Sequence, residues 1–125
     1  MKKKFNAAKQ KRKLDRLFSK YILNRDNRTC QWCGMSEIGK KYDTAHIIPR
    51  EIMATRYNEN NAVCLCFKCH INWHNSPLHA AEFIEKKYGK EFVVYLLEIS
   101  KLPYTFNEET AQKELCRLVS LSNKT

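Results

Sequence analysis

Two cysteine pairs constrain the fold of this chain more than any other feature of its sequence. Each pair has the spacing Cys-x-x-Cys, and a stretch of 32 residues separates Cys30 and Cys33 from Cys66 and Cys69. Four thiolates in two such knuckles are typical of a tetrahedral zinc site. Two disulfides or four unliganded thiols are the alternatives. The pattern predicts a structural Zn²⁺ that joins residues 30–33 to residues 66–69.

The two remaining cysteines, Cys64 and Cys116, are expected to be small apolar core residues, although Cys64 could compete as a ligand. The N-terminus lacks the apolar stretch of a secretory signal, and the longest apolar run, residues 92–97, is too short to span a membrane. We therefore expect no membrane partner and a cytoplasmic location, where thiols stay reduced.

Positive charge is concentrated at one end of the chain. The net charge is +10, and residues 1–28 contain eleven Lys or Arg against only Asp15 and Asp26. A basic arm of this kind suits a phosphate backbone, because each neutralised phosphate releases counterions. A solvated tail is the simpler alternative. We expect DNA contacts from five residues of this arm: Lys11, Arg12, Lys13, Arg16 and Lys20.

Apolar periodicity and capping residues predict mainly helical structure around a short hairpin. The apolar positions of residues 7–24 recur with helical spacing. Strands are predicted at 43–48 and 61–65, separated by an irregular segment that includes a helical turn at 51–57, and a short helix is expected to follow directly. Three further helices are expected, over residues 77–88, 91–102 and 108–120, with Gly89 and Pro103 as stops and Ser76 and Asn107 as N-caps.

These elements predict one α+β domain over residues 1–125. It comprises a basic N-terminal arm and helix over 1–28, a zinc-clamped ββα core over 30–75 and a helical extension over 76–121. Trp32 and Trp73 are expected to pack near the zinc knuckles and in the core rather than to stack on bases.

Four polar residues around the second cysteine pair have the spacing of a metal-dependent hydrolytic site. Asn61 follows His46 by fifteen residues, and His70 and His74 are one helical turn apart. Two imidazoles at that spacing project from one face of a helix and can hold a divalent cation. We expect His46 to be a general base, and Asn61 to orient its ring or to bind the metal. A core histidine and a turn asparagine are the simpler readings of these residues taken singly.

The sequence resembles the HNH (His-Me finger, ββα-metal) endonuclease family in Asp43-Thr-Ala-His46-Ile-Ile-Pro49, in Asn61 and in Cys66-x-x-Cys69-His70-x-x-x-His74. A wider resemblance, over residues 14–26, 55–61 and 83–89, is to the phage recombination-nuclease branch known as NinG or Rap, which acts on branched DNA. The resemblance implies hydrolysis of DNA to 5′-phosphate and 3′-hydroxyl ends in a bacterial or phage-infected cell. It also implies that His46 is the base, Asn61 the supporting amide, and His70 and His74 the ligands of Mg²⁺, Mn²⁺, Ni²⁺ or Zn²⁺.

One position departs from the family pattern. Many HNH enzymes have an acidic residue or histidine directly before the catalytic histidine, whereas this chain has Ala45. Asp43, two residues before Ala45, lies on the same face of the predicted strand. It is therefore a candidate metal ligand, and support of another ligand is its alternative role.

Three further residues near the predicted site, Arg50, Arg56 and Lys68, are candidates for phosphate contacts or for ordinary surface charge. Double-stranded or branched DNA is the expected partner. Cleavage of both strands together would require two copies, which leaves a homodimer open. A zinc-stabilised DNA-binding protein without catalysis is the main alternative function, and Ala45 is its best argument. A protein-interaction adaptor explains neither the charge nor the histidines.

Overall fold

The computed structural model describes residues 4–124; the first three residues of the basic arm, and Thr125, lie outside them. The protein is a mixed α+β structure, mostly helical, with a two-stranded antiparallel sheet. The elements in chain order are α1 (Ala7–Arg25), β1 (Tyr42–His46), α2 (Met53–Arg56), a 3₁₀ turn (Glu59–Asn61), β2 (Ala62–Cys66), α3 (Phe67–Asn75), α4 (Pro77–Tyr88), α5 (Lys90–Ser100) and α6 (Glu108–Asn123).

Helix α1 forms where its apolar periodicity predicts a helix. The side chain of Asn6 accepts a hydrogen bond from the Lys9 amide and caps the first turn. Leu14, Phe18 and Ile22, spaced by four residues, are buried on one face. This face packs against the sheet and against α6, so the basic residues of α1 lie mainly on the opposite side.

The sheet lies between α1 and α3, which contact both strands. In its register Tyr42 pairs with Cys66 and His46 pairs with Ala62. All five residues of β2 are buried. Both strands differ slightly from the predicted ranges. Asn61 belongs to the 3₁₀ turn, because the side chain of Asn58 caps that turn through the Asn60 amide.

Helix α3 follows β2 without an intervening loop: Cys66 ends the strand and caps the helix, and Cys69 lies in its first turn. Trp73 on α3 is buried, and its ring contacts Trp32 and Phe83 edge to face, while Trp32 stacks on Phe83 with ring centroids 5.5 Å apart. Both tryptophans are thus packed as predicted. They join the first cysteine pair to helices α3 and α4.

The C-terminal helices begin and end close to the predicted positions. Gly89 separates α4 from α5 with φ of 93°, a conformation that favours glycine. Asn107 and Thr110 form a reciprocal capping box at the start of α6. Cys116 was expected in the core but is exposed, because α6 packs through Ala111 and Leu118 and turns Cys116 to solvent.

The segment between the two strands is fastened from both ends of the chain. Arg25 of α1 donates to the carbonyl oxygens of Glu59 (2.6 Å) and Ala62 (2.8 Å). Arg117 of α6 donates to the carbonyl oxygen of Tyr57 and pairs with the Glu59 carboxylate. The loop therefore has fixed backbone positions although it contains little regular structure. Within residues 4–124, no helix combines the length and the apolar character needed to cross a membrane.

Candidate functional site

The four paired cysteines come together as predicted. Their Sγ atoms all lie within 4.8 Å of one another, and those of Cys33 and Cys66 are 3.8 Å apart. Thiolates at about 2.3 Å from a tetrahedral zinc are separated by about 3.8 Å, so the cluster has the size that zinc requires. All six cysteines, which all lie in the described part of the chain, are free thiols. The donor set and its spacing fit a structural zinc site.

Backbone amides support the thiolate form of this cluster. The Cys33 amide donates to Cys30 Sγ (3.5 Å), and the Cys69 amide donates to Cys66 Sγ (3.4 Å). Burial raises the pKa of Cys30, but hydrogen bonds from the backbone, the Cys33 amide foremost, outweigh it and lower that pKa to about 7. Cys64 lies outside the cluster, and burial raises its pKa to about 12. The cluster therefore excludes the cysteine that could have competed with Cys66.

His46 stands at the end of β1 and is held by three different elements. Its ring stacks on Phe18 of α1, with centroids 5.3 Å apart and planes inclined by 27°. Its backbone carbonyl accepts a hydrogen bond from Trp73 Nε1 of α3 (3.1 Å). Its Nε2 lies 2.9 Å from the carbonyl oxygen of Arg56. These contacts fix the position and the plane of the imidazole.

The Arg56 carbonyl also selects the tautomer of His46. A carbonyl oxygen only accepts hydrogen bonds, so Nε2 carries the proton and Nδ1 keeps its lone pair. Nδ1 makes no hydrogen bond to any residue between 4 and 124. Burial lowers the pKa of His46 below its ordinary value of 6.5, and the positive charges of Arg50 and Arg56 lower it further. At neutral pH the ring is uncharged and able to take a proton at Nδ1.

Asn61 is fully buried, and its side chain holds the loop between the strands. The Ile48 amide donates to Asn61 Oδ1 (2.7 Å), while Nδ2 donates to the carbonyl oxygens of Ile48 (3.0 Å) and Thr55 (3.1 Å). Among the described residues these are the hydrogen bonds of its side chain, and none goes to the His46 ring, although orienting that ring was one of the two predicted roles. Both side-chain amide hydrogens of Asn61 are donated within the loop. Asn61 therefore affects His46 indirectly: it holds Thr55, and the carbonyl oxygen of the next residue, Arg56, lies beside His46 Nε2.

His70 and His74 lie on one face of α3, as their spacing predicts. Their Nε2 atoms are 3.3 Å apart. Two nitrogens bound to one metal at about 2.1 Å are separated by about 3.0 to 3.4 Å, so this spacing suits a shared cation. Asp43 Oδ2 lies 3.2 Å from His70 Nδ1, on the side of the ring away from that position. This position suits the alternative role of Asp43, support of His70, and direct ligation of the metal by Asp43 stays a prediction.

Among residues 4–124, no third His, Cys, Asp or Glu lies close enough to the histidine pair to form a three-ligand group with it. Ala45 cannot supply one. His74 and His46 do line the same cleft, of about 520 Å³. The structure consequently brings His46 and one of the two candidate ligands, His74, to the same cleft.

Arg56 has a different position from the one expected of a DNA contact. Its guanidinium forms a two-pronged ion pair with Asp15 of α1, at 3.0 Å and 2.8 Å, and only 11% of its side chain is exposed. A phosphate would have to displace Asp15 to reach it. Lys11 is half-buried, with Nζ 5.5 Å from the Phe106 ring. The other predicted DNA contacts are exposed to solvent: Arg12, Lys13, Arg16, Lys20, Arg50 and Lys68.

A basic cleft lies beside the cysteine cluster. Lys40, Lys41 and Lys68 line it with the half-exposed ring of Phe67, and its volume is about 490 Å³. Sequence reasoning identified Lys68 alone, because Lys40 and Lys41 come next to it only when the cysteine pairs meet. It also missed Asp15 and Phe18. The one available signal was that Asp15 is the single acidic residue of a 19-residue basic helix.

No family model, curated protein or solved structure matches this chain. Its resemblance to the HNH family stays a prediction, and a functional proposal has to depend on the geometry described above.

Proposed function

We propose that this protein is a metal-dependent endonuclease that hydrolyses DNA phosphodiester bonds and leaves 5′-phosphate and 3′-hydroxyl ends. The observation that carries the proposal is the state of His46. The Arg56 carbonyl fixes the Nε2–H tautomer, Nδ1 makes no hydrogen bond within residues 4–124, and His46 lines the same cleft as His74. A neutral imidazole with a free, oriented nitrogen is suited to general-base catalysis.

The histidines have two roles in the proposed hydrolysis, as general base and as metal ligands. His46 Nδ1 accepts the proton of the water that attacks phosphorus, which requires the ring to be neutral at the start of each cycle. Asp43 accepts a hydrogen bond from His70 Nδ1–H, which leaves the Nε2 lone pair of His70 to accept from His74 Nε2–H at 3.3 Å. To hold Mg²⁺ or Mn²⁺ between the two Nε2 atoms, His74 would carry its proton on Nδ1 instead. The bound cation would polarise the phosphodiester and stabilise the departing 3′-oxygen.

Two protein ligands are few for a divalent cation. Water and a phosphate oxygen of the DNA would have to supply the remaining positions, since Ala45 offers none and Asp43 is bonded to the far nitrogen of His70. We therefore expect weak metal binding by the free protein and tighter binding in the presence of DNA.

Exposed basic residues provide the surface for the substrate. The solvent-facing side of α1 bears Arg12, Lys13, Arg16 and Lys20, and the cleft beside the cysteine cluster adds Lys40, Lys41 and Lys68. Phosphate contacts from such residues make affinity depend steeply on salt. Phe67 adds an exposed ring at the cleft, which favours substrates with unpaired bases, such as branched DNA.

A zinc-stabilised DNA-binding protein without catalysis is the second candidate. The observation that favours it is the two-histidine metal site, to which Ala45 contributes no ligand. It explains the cysteine cluster and the basic surface, but it gives no reason for the fixed tautomer of His46.

The decisive experiment compares cleavage of supercoiled, linear and branched DNA by the native chain, by His46→Ala and by His79→Ala, each with Mg²⁺ or Mn²⁺. His79 is an exposed histidine of α4 and serves as the matched control. We expect His46→Ala to retain zinc and DNA binding but to lose cleavage about 100-fold or more, since general-base catalysis contributes that much. His79→Ala should cleave like the native chain.

Two outcomes would contradict the proposal. Equal cleavage by the native chain and His46→Ala would exclude His46 as the base. Tight DNA binding without cleavage under either metal would favour the second candidate. The products of supercoiled DNA also report the assembly: nicked circles are expected from one site acting alone, and direct linearisation would indicate a homodimer.

A further inference from the structure

We propose that Asp15, on helix α1, is a positioning residue for His46 and acts through Arg56. Its effect on catalysis rests on the proposed nuclease function, whereas its effect on the His46 tautomer does not. Asp15 is not a catalytic residue in this proposal, because it touches neither the imidazole nor the cleft. It holds the side chain of the residue whose carbonyl oxygen accepts the His46 proton.

The chain of contacts is continuous and short. Both carboxylate oxygens of Asp15 accept hydrogen bonds from Arg56, at 3.0 Å from Nε and 2.8 Å from Nη2. Arg56 is the last residue of the four-residue helix α2, and its carbonyl oxygen lies 2.9 Å from His46 Nε2. A two-pronged pair fixes the plane of a guanidinium as well as its position. Asp15 thereby restrains the backbone at Arg56.

The same helix also holds the His46 ring directly. Asp15 and Phe18 are three residues apart, so they project from neighbouring positions of one helical face. Phe18 stacks on the imidazole of His46, while Asp15 forms the ion pair with Arg56. One turn of α1 thus fixes both the plane of the His46 ring and the acceptor of its proton.

Asn61 supplies a second, independent restraint on the loop. Its Nδ2 donates to the Thr55 carbonyl oxygen, one peptide before the Arg56 carbonyl. Loss of Asp15 therefore leaves the loop attached but removes the two-pronged anchor of the guanidinium, which keeps only its Nη1 contacts with the Arg50 carbonyl oxygen (3.3 Å) and Met53 Sδ (3.9 Å). It also leaves the Arg56 charge uncompensated beside His46, which Arg50 faces as well. The looser Arg56 peptide weakens the preference for the Nε2–H tautomer, and the uncompensated charge lowers the pKa of His46 further.

The test measures the His46 tautomer directly, by ¹⁵N NMR of the imidazole nitrogens in the zinc-loaded full chain at neutral pH. The variants are Asp15→Asn, which keeps the shape of the side chain but loses its charge, and Asp15→Glu, which keeps the carboxylate. Glu109→Gln is the matched control, since it removes the carboxylate of an exposed ion pair with Lys113 on α6. Arg56→Lys keeps the charge and the carbonyl but cannot form the two-pronged pair.

We expect a single Nε2–H tautomer in the native chain and in Glu109→Gln. Asp15→Asn and Arg56→Lys should show a mixture with the Nδ1–H form, and Asp15→Glu should restore most of the native signal. The kcat of DNA cleavage by Asp15→Asn should fall about tenfold, with little change in KM. This loss is smaller than that expected on removal of the base itself, because the imidazole is still present. A role in stability alone would leave the tautomer of the folded chain unchanged.

A single Nε2–H tautomer in both folded variants, Asp15→Asn and Arg56→Lys, would overturn the proposal. If Asp15→Asn does not fold, Arg56→Lys decides the question alone. The test also separates the two proposals: a native chain that cleaves no DNA contradicts the nuclease function, while a tautomer that shifts on loss of Asp15 still supports the positioning role.

Discussion

Replacement of Asn61 by alanine tests whether this residue acts as a loop anchor or as a chemical group. The side chain is fully buried and makes three hydrogen bonds to the backbone of Ile48 and Thr55, each between 2.7 and 3.1 Å. Alanine would leave one amide and two carbonyl oxygens without these partners. At about 1 kcal/mol for each bond, and more where the backbone group stays dry, the free energy of unfolding should fall by about 3 to 5 kcal/mol.

Urea denaturation followed by circular dichroism measures this loss, and a midpoint of thermal unfolding lower by about 10 to 20 °C is the corresponding signal. Asn60→Ala is the matched control, because Asn60 is the exposed neighbour and is bonded through its backbone amide. Its unfolding should stay within about 0.5 kcal/mol of the native value.

Asn61→Asp separates the anchor from a metal ligand. Aspartate keeps an acceptor for the Ile48 amide but turns a carboxylate oxygen towards the carbonyl oxygens of Ile48 and Thr55, so it should destabilise the chain at least as much as alanine does. A metal ligand would instead tolerate aspartate well. Near-native stability of Asn61→Ala, or full cleavage by Asn61→Asp, would refute the anchoring role.

The other predictions concern zinc and pH. Mass spectrometry of the native chain should find about one zinc per molecule. Cys30→Ser should lose this zinc and about 4 kcal/mol or more of unfolding free energy, whereas Cys116→Ser, at an exposed cysteine, should keep the zinc and the stability. A zinc-free chain of unchanged stability would exclude the structural site. The acid limb of DNA cleavage should lie below pH 6.5, because burial and then the Arg50 and Arg56 charges lower the pKa of His46. Arg50→Gln should move that limb upward, and a limb unchanged in this variant would show that its charge does not reach His46.

The cysteine cluster is the part of the candidate site that sequence reasoning predicted most fully. A Cys-x-x-Cys pair specifies a local turn whose two thiolates converge, and a second pair completes a tetrahedron with little choice of geometry. The i, i+4 spacing of His70 and His74 is equally local, since any helix brings the two rings together. Predictions of this kind succeed because the relevant distances are set within a few residues.

The roles of residues that depend on tertiary contacts could not be predicted as well from the sequence. The guanidinium of Arg56 is a typical phosphate ligand, and only the packing of α1 on the loop shows that it is paired with Asp15 instead. Asp43 was placed on the correct face of β1, but its contact with His70 depends on how α3 crosses the sheet. The exposure of Cys116 depends on which face of α6 meets α1. In each case, a residue far away in the sequence decides the outcome.

The contact of Arg117 with the loop between the strands has a consequence for synthesis of the protein. Arg117 belongs to the last helix, and it binds the Tyr57 carbonyl and the Glu59 carboxylate at the loop whose Arg56 carbonyl holds His46. On the ribosome, both cysteine pairs and the site histidines, of which His74 is the last, emerge at least 43 residues before Arg117 does. A nascent chain can bring its four paired cysteines together early, but the loop beside His46 acquires its full set of contacts only after α6 has been synthesised. Shortening α6 before Arg117 would reproduce that unfinished state in the mature molecule.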